Sequence, residues 1–292
     1  MDIAFFRTKA NNTFIVIGSN GLIGESLVKS SINKSNINYK EEYKHKSTND
    51  YDNIFYTVKR LVESSNLSRK DKLSIIFCAG KGGFNLKLEL ANEQHLRLKI
   101  LLLNLYNNFS ENLTFFLISS LGAHLSKIDT PYKYLIESNE KLVLYYPSTH
   151  IIRVPSVWGF SHYGEKPVGL IANLLYSLKT HKESTIYGDM NTLRNYLSAN
   201  TLGFNIYNLI SDNKNLDTVY NLSGYFNYSI KDLIYIINKI TKRQVLYKLL
   251  PRNIAERESY NSLAINGSDI KVIESINTEI SMLWKRLEQV YQ

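Results

Sequence analysis

Three glycines near the amino terminus offer the clearest chemistry. Gly18, Gly21 and Gly24 stand at i, i+3 and i+6 in the run Gly18-Ser19-Asn20-Gly21-Leu22-Ile23-Gly24. The preceding segment, TFIVI, is a short β-branched apolar run suited to a buried parallel strand. The following segment places Leu22, Ile23, Leu27 and Val28 on one side of a helix. Strand, glycine turn and helix in this order can hold phosphate. The first glycine permits the tight turn, the second lets a pyrophosphate approach the backbone, and the third permits close helix–strand packing. The free amides and dipole of the new helix then stabilise phosphate charge. The run therefore predicts a dinucleotide site formed by Gly18, Asn20, Gly21, Leu22, Ile23 and Gly24. At such sites the end of the next strand reads the adenosine ribose. The matching stretch is Asn36-Ile37-Asn38-Tyr39-Lys40-Glu41-Glu42. Lys40 suits the 2′-phosphate of NADP and Glu41 suits NAD, and the reading leans slightly to NADP through Lys40.

Other chemistries fail on residue type or spacing. There is no Gly-x-Ser-x-Gly elbow for a hydrolytic serine. His95 and His162 have no partners at metal-ligand spacing, so no metal is expected. The single cysteine, Cys78, excludes an intrachain disulfide and reads as a small core residue. The 35 basic and 26 acidic side chains leave a formal net charge of +9. Such a surface attracts phosphorylated ligands as readily as nucleic acid. No zinc finger, RNA motif or basic zipper accompanies it, so no nucleic-acid partner is expected. No run approaches the roughly 20 apolar residues of a membrane span, and the first residues lack a signal-peptide core. The expectation is a cytoplasmic protein without membrane insertion.

The elements that must position these residues alternate. Strands are expected at 13–17, 36–40, 73–79 (LSIIFCA), 113–120 (LTFFLISS) and 151–154, and helices at 54–64, 96–105 and 131–145. That rhythm predicts a parallel sheet covered by helices on both faces. Between 17 and 73 one strand is missing from a full pair of crossover units. Beyond about 157 the rhythm loosens, with helices expected at 168–177, 229–240 and 270–289 and short strands at 184–188 and 219–222. The division is a dinucleotide-binding domain over 1–160 and a smaller, mostly substrate-binding lobe over 161–292. The chain at about 190–215 is expected to return to the first domain.

In this order the motifs resemble the extended short-chain dehydrogenase/reductase family, in its branch of NAD-dependent epimerases and dehydratases acting on nucleotide sugars. The glycine run resembles that family's amino-terminal fingerprint. Cys78-Ala79-Gly80 resembles the strand end flanking the adenine side, and Ser119-Ser120 the serine pair ending the following strand. Arg153-Val154-Pro155-Ser156-Val157-Trp158-Gly159 resembles the segment after the sixth strand. Tyr187-Gly188-Asp189 with Arg194-Asn195-Tyr196 resembles the segment whose arginine contacts the nucleotide-sugar phosphates. The resemblance implies a Rossmann-type α/β fold with a small carboxy-terminal substrate lobe. It implies an NADP or NAD cofactor bound also by Cys78, Ala79, Gly80 and Pro155. It implies catalysis by Ser120 and Tyr132, substrate contacts from His124 and Arg194, and a homodimer built on helices 96–105 and 134–145.

One motif is broken. The family pairs its tyrosine with a lysine four residues on, where this chain has Ile136. Thr130-Pro131-Tyr132 matches the approach and Glu140 matches a glutamate one turn beyond, but Lys133 should point elsewhere on the helix. Tyr235 and Lys239 have the spacing without the preceding serine strand. A nearby ammonium favours phenolate over phenol, and isoleucine cannot. The resemblance implies an epimerase or reductase of a nucleotide-linked sugar, of the kind feeding bacterial surface polysaccharide synthesis. The alternative is a catalytically weak or inactive binding protein of the same fold.

Overall fold

The computed structural model describes residues 2–8, 12–34, 37–44, 51–65, 71–80, 86–126, 128–161, 166–212, 216–250 and 267–290. The first half runs β1 (Asp2–Thr8), β2 (Thr13–Ile17), α1 (Leu22–Lys34), β3 (Ile37–Lys44), α2 (Tyr51–Ser64), β4 (Leu73–Phe77), α3 (Leu88–Phe109), β5 (Leu113–Ser120), α4 (Leu121–Leu125), α5 (Pro131–Val143) and β6 (Thr149–Val154). The second runs β7 (Ser156–Phe160), β8 (Pro167–Val168), α6 (Leu170–Lys179), β9 (Ser184–Tyr187), β10 (Arg194–Ser198), α7 (Ala199–Asp212), β11 (Val219–Gly224), β12 (Asn227–Tyr228), α8 (Ile230–Thr241), β13 (Tyr247–Leu250), β14 (Ser268–Val272) and α9 (Ile276–Val290).

The main sheet has the order β14-β11-β6-β5-β4-β2-β1-β3. From β14 to β2 every pairing is parallel. All five residues of β2 and of β4 are buried, because helices cover both faces of the sheet. On one face Ile15, Ile17, Ile75 and Phe115 pack against α2 and α3 through Val58, Leu61, Leu98 and Leu102. On the other, Phe14, Val16, Ile76 and Phe116 pack against α1 and α7 through Leu27, Leu202 and Ile206. This is the Rossmann-type α/β fold expected from the sequence. Chain beyond 160 builds a third core around Trp158, Ile171, Leu175, Leu233, Ile237 and Trp284. Besides α7, strands β11 and β14 return to the main sheet.

Three expectations are corrected. The first residues form β1, a strand the sequence reading left out. It lies antiparallel between β2 and β3, with Ile3, Ala4, Phe5 and Phe6 wholly buried. Arg7 ties its far end to Asp71 at 2.9 Å, just before β4. The second correction concerns β3, which runs on to Lys44, so Lys40 does not end the strand. Asn36 and the side chain of Lys40 lie outside the described residues. Third, the expected helix 270–289 is a strand followed by a helix, because Ser268–Val272 pairs in parallel with β11. Among the described residues, α2 is the one element between β3 and β4.

Helix α7 crosses α1 at a glycine. A Cβ on Gly203 would sit 2.5 Å from the Ser26 carbonyl carbon and 2.7 Å from the Leu27 nitrogen, both backbone atoms. Backbone cannot swing aside as a side chain can. Gly203→Ala is expected to cost about 1–3 kcal/mol through overpacking. Urea denaturation of the two proteins checks it; equal midpoints would mean the helices separate freely.

Candidate active site

The glycine turn is built by close approach. Gly18 has a φ of +88°, and a Cβ there would lie 2.9 Å from the Ala79 nitrogen at the end of β4. A Cβ on Gly24 would collide with the Gly18 carbonyl oxygen, so α1 begins against the end of β2. Gly21 differs: a Cβ there would meet only the Gly18 oxygen, at 3.3 Å, and otherwise open space. The Gly21 and Glu25 amides bond to the Gly18 and Gly21 carbonyls, which closes the turn and starts the helix. Helix geometry leaves the amides of its first turn without intrahelical partners. An open cradle beside Gly21 at a helix start fits a pyrophosphate.

Ile23 turns from this helix into a cavity of about 270 Å³ at the carboxyl ends of the strands. Cys78, Ala79 and Gly80 after β4, Ser119 and Ser120 at the end of β5, and Pro155 after β6 line the same cavity. From α5, Tyr132, Leu135, Ile136 and Asn139 enter it. Those four stand at i, i+3, i+4 and i+7, which is one helix face. Cofactor and catalytic residues expected from separate motifs thus share one space. Burial pushes the Cys78 thiol up to about 12, which makes it a poor nucleophile and fits the core-residue reading.

Local capping fixes the two hydroxyl residues. Ser120 is the N-cap of α4, its Oγ accepting the Ala123 amide at 3.3 Å. That contact uses an oxygen lone pair and leaves the hydroxyl proton available to a ligand. Thr130 caps α5 by accepting the Lys133 amide at 3.1 Å, with Pro131 at the first helical position. Tyr132 follows directly, so the cap sets where its ring enters the cavity.

Ile136 occupies the place of the absent lysine and lines the cavity wall. Lys133 does point elsewhere, its Nζ donating to the Ser126 carbonyl at 3.0 Å and to Asp129 at 3.2 Å. Tyr235 is 66% exposed on α8, which leaves its Tyr–Lys spacing without a pocket. Among the described residues lining the cavity there is no lysine, arginine or histidine.

Arg153 and His124 sit behind the cavity, on Glu140. Glu140, 4% exposed, accepts from Arg153 Nη2 at 2.7 Å and Nε at 3.1 and 3.2 Å, and from the Ser119 hydroxyl. His124 Nε2 lies 2.9 Å from the same carboxylate. Burial pushes the Glu140 carboxyl up, but bonds from His124, Arg153 and Ser119 outweigh this and hold it below its ordinary value. His124, expected to contact substrate, thus faces Glu140 and does not line the cavity. Arg194 begins β10, opposite Tyr228 in the lobe, and does not line it either. Asn139 and Gln94 do, without having been singled out from the sequence. Asn139 Oδ1 meets His95 Nδ1 at 2.9 Å, and its place seven residues after Tyr132 was the signal that could have found it. No group of three or more metal-binding side chains occurs among the described residues, and no described helix is long and apolar enough to cross a membrane.

No protein-family model matches the chain, and no curated protein matches it. Solved structures do. The UDP-glucose 4-epimerase of Thermotoga maritima, solved with UDP-glucose, superposes with a TM-score of 0.72 at 17% identity, covering 95% of this chain and 99% of that one. The UDP-glucuronic acid 4-epimerase of Bacillus cereus, in complex with UDP-glucuronic acid and NAD, gives 0.68 at 16%, covering 94% and 99%. RMD from Pseudomonas aeruginosa, complexed with NADPH, gives 0.68 at 14%, covering 95% and 98%. The chain has the fold of these proteins along nearly its whole length.

The buried Glu140 cluster makes stability depend on acid. Its depressed carboxyl contributes above the unfolded value of 4.5, and the contribution is lost as pH falls through the lower folded value. Denaturation midpoints should fall steeply between about pH 5 and pH 3 in wild type and less so in Glu140→Gln. Glu140→Ala leaves Arg153 buried and unpaired, at a cost of roughly 3–5 kcal/mol at neutral pH. Identical acid slopes for wild type and Glu140→Gln would remove Glu140 from this role.

Proposed function

We propose that this chain binds a nicotinamide dinucleotide across the carboxyl edge of its sheet and acts on a nucleotide-linked sugar as an epimerase or reductase. The observation that carries the reading is the shared cavity, where Ile23 and the strand end Cys78–Gly80 meet Ser120, Tyr132 and Pro155. Gly18, Asn20, Gly21, Leu22, Ile23 and Gly24 would hold the pyrophosphate at the start of α1. Bound there, the nicotinamide supplies hydride exchange with a sugar carbon. Tyr132 exchanges the proton at the sugar oxygen, and Ser120 orients that oxygen through its free hydroxyl proton. Arg194 holds the substrate diphosphate from the lobe. A role in making bacterial surface polysaccharide, in the cytoplasm, fits such a substrate.

Ile136 favours a second reading, a protein of this fold that binds its ligands and turns them over slowly. Proton-transfer assistance is typically worth about 10²–10⁴ in rate. The two readings separate by experiment. Calorimetric titration should show saturable binding of NADH or NADPH at one site. Tyr132→Phe should keep that binding and lower turnover of 4-keto nucleotide sugars by about 10²–10⁴. If only Ile136→Lys turns over, the weak-binder reading is correct. If folded protein binds neither dinucleotide, both readings fail.

The same reading includes a homodimer. On α3, Leu96, Ile100 and Leu103 are exposed at helical spacing, and α5 beside it exposes Tyr134. A second copy covering this apolar face would form a bundle of four helices. Ile100→Glu should convert a dimer to a monomer in sedimentation analysis; a wild-type monomer at micromolar concentration would end this part of the proposal.

A further inference from the structure

Strand β1 changes what stands beside the glycine turn. In the simple strand–turn–helix arrangement, the strand following the first helix lies next to the strand carrying the turn, and its end reads the adenosine ribose. Here β1 lies between the two. Ile3 pairs with Ile17 on one side and with Tyr43 on the other. The residue beside Gly18 is therefore Asp2. Its carbonyl oxygen accepts the Gly18 amide at 2.8 Å and the Ser19 amide at 3.2 Å, which pins Asp2 to the turn. The four residues after it are wholly buried, whereas Asp2 is half-buried at the rim of the sheet. Strand alternation puts it on the face of Ala4 and Phe6, the face that α1 covers.

Lys40 stands far from this point. It pairs with Phe6, which pairs with Phe14, four residues before Gly18. At strand spacings its backbone lies roughly 13 Å below the turn and roughly 10 Å across the sheet. The slight lean to NADP rested on Lys40, and the register removes its basis.

We propose that Asp2 reads the ribose hydroxyls of the adenosine half of the dinucleotide and sets a preference for NAD over NADP. This rests on the dinucleotide reading above. A carboxylate accepts two hydroxyl hydrogen bonds from a ribose, and the same carboxylate repels a 2′-phosphate. The acid comes from an added amino-terminal strand and not from the strand after the first helix. Lys44 stands opposite Asp2 in the register of β3 and serves as the control substitution.

The test is calorimetric titration of the full chain, tagged at its carboxyl end and freed of cofactor, with NADH and NADPH. Wild type should bind NADH about 10- to 100-fold more tightly, the range of a charge-assisted hydrogen bond. Asp2→Asn keeps the main-chain cap and the side-chain shape. It should bring the ratio close to one, by weakening NADH and strengthening NADPH. Lys44→Ala should keep the NADH preference. A wild-type preference for NADPH, or a ratio that Asp2→Asn leaves unchanged, would overturn the inference while leaving the dinucleotide reading intact. Folded wild type that binds neither nucleotide would overturn both.

Discussion

The architecture depends on one steric constraint, the contact between the start of α1 and the end of β2. No Cβ fits on Gly24 above the Gly18 carbonyl, and none fits on Gly18 against Ala79. Backbone therefore meets backbone across the turn, and α1 is held against the sheet edge. That closeness aims the helix start at the crevice, where its amides can meet an anion. It also fixes α1 for α7, which approaches at Gly203. Because α7 follows β10 directly, the lobe inherits its position from the same contact. A chain of glycines thus connects the phosphate cradle to the segment that brings the lobe beside the cavity.

A second constraint is electrostatic. Glu140 joins three elements that shape the site: β5 through Ser119, β6 through Arg153 and α4 through His124. The pairing extends outward, since Arg153 Nη1 reaches Asn221 at 3.4 Å and Asn221 reaches Asp269 at 3.2 Å. A buried carboxylate with these partners costs desolvation that its hydrogen bonds must offset. What it secures is placement. Ser120 follows Ser119, and Tyr132 lies two helical turns before Glu140. Among the described residues, the Arg153 guanidinium is thus engaged by Glu140 and does not line the cavity.

The sequence made the parallel core legible because its strands are buried on both faces. TFIVI, LSIIF and LTFFLISS are continuous or nearly continuous apolar runs, and nothing competes with that pattern. The cavity was legible for a related reason: its residues fall at strand ends and at one-face helix spacing. The errors fall at the edge and in the lobe. In β1 only four apolar residues, Ile3 to Phe6, stand between Asp2 and Arg7, and its partner β3 reads INYKEEYK, with charged residues at four of its eight positions. Local pattern cannot show that one strand is wedged between two others, because that depends on long-range pairing. At 268–272 the strong periodicity of α9 hid a five-residue strand. His124 was assigned to the substrate by proximity to Ser120, whereas a buried carboxylate sixteen residues further on claims it.

The substitution at 136 does not weigh equally on both directions of the proposed chemistry. An ordinary phenol loses its proton near pH 10 and is protonated at neutral pH. In that form it can give a proton to an oxygen that becomes a hydroxyl as a keto sugar is reduced. Taking a proton from a sugar hydroxyl requires the phenolate, which a lysine would favour and Ile136 does not. An epimerase must pass through both steps in each cycle, whereas a reductase needs only the first. Ser120 keeps its hydroxyl proton available to a sugar oxygen while its own oxygen accepts the Ala123 amide. Under the proposed function, the loss of lysine at 136 therefore bears on the oxidation half of an epimerase cycle, a half that a reductase does not need.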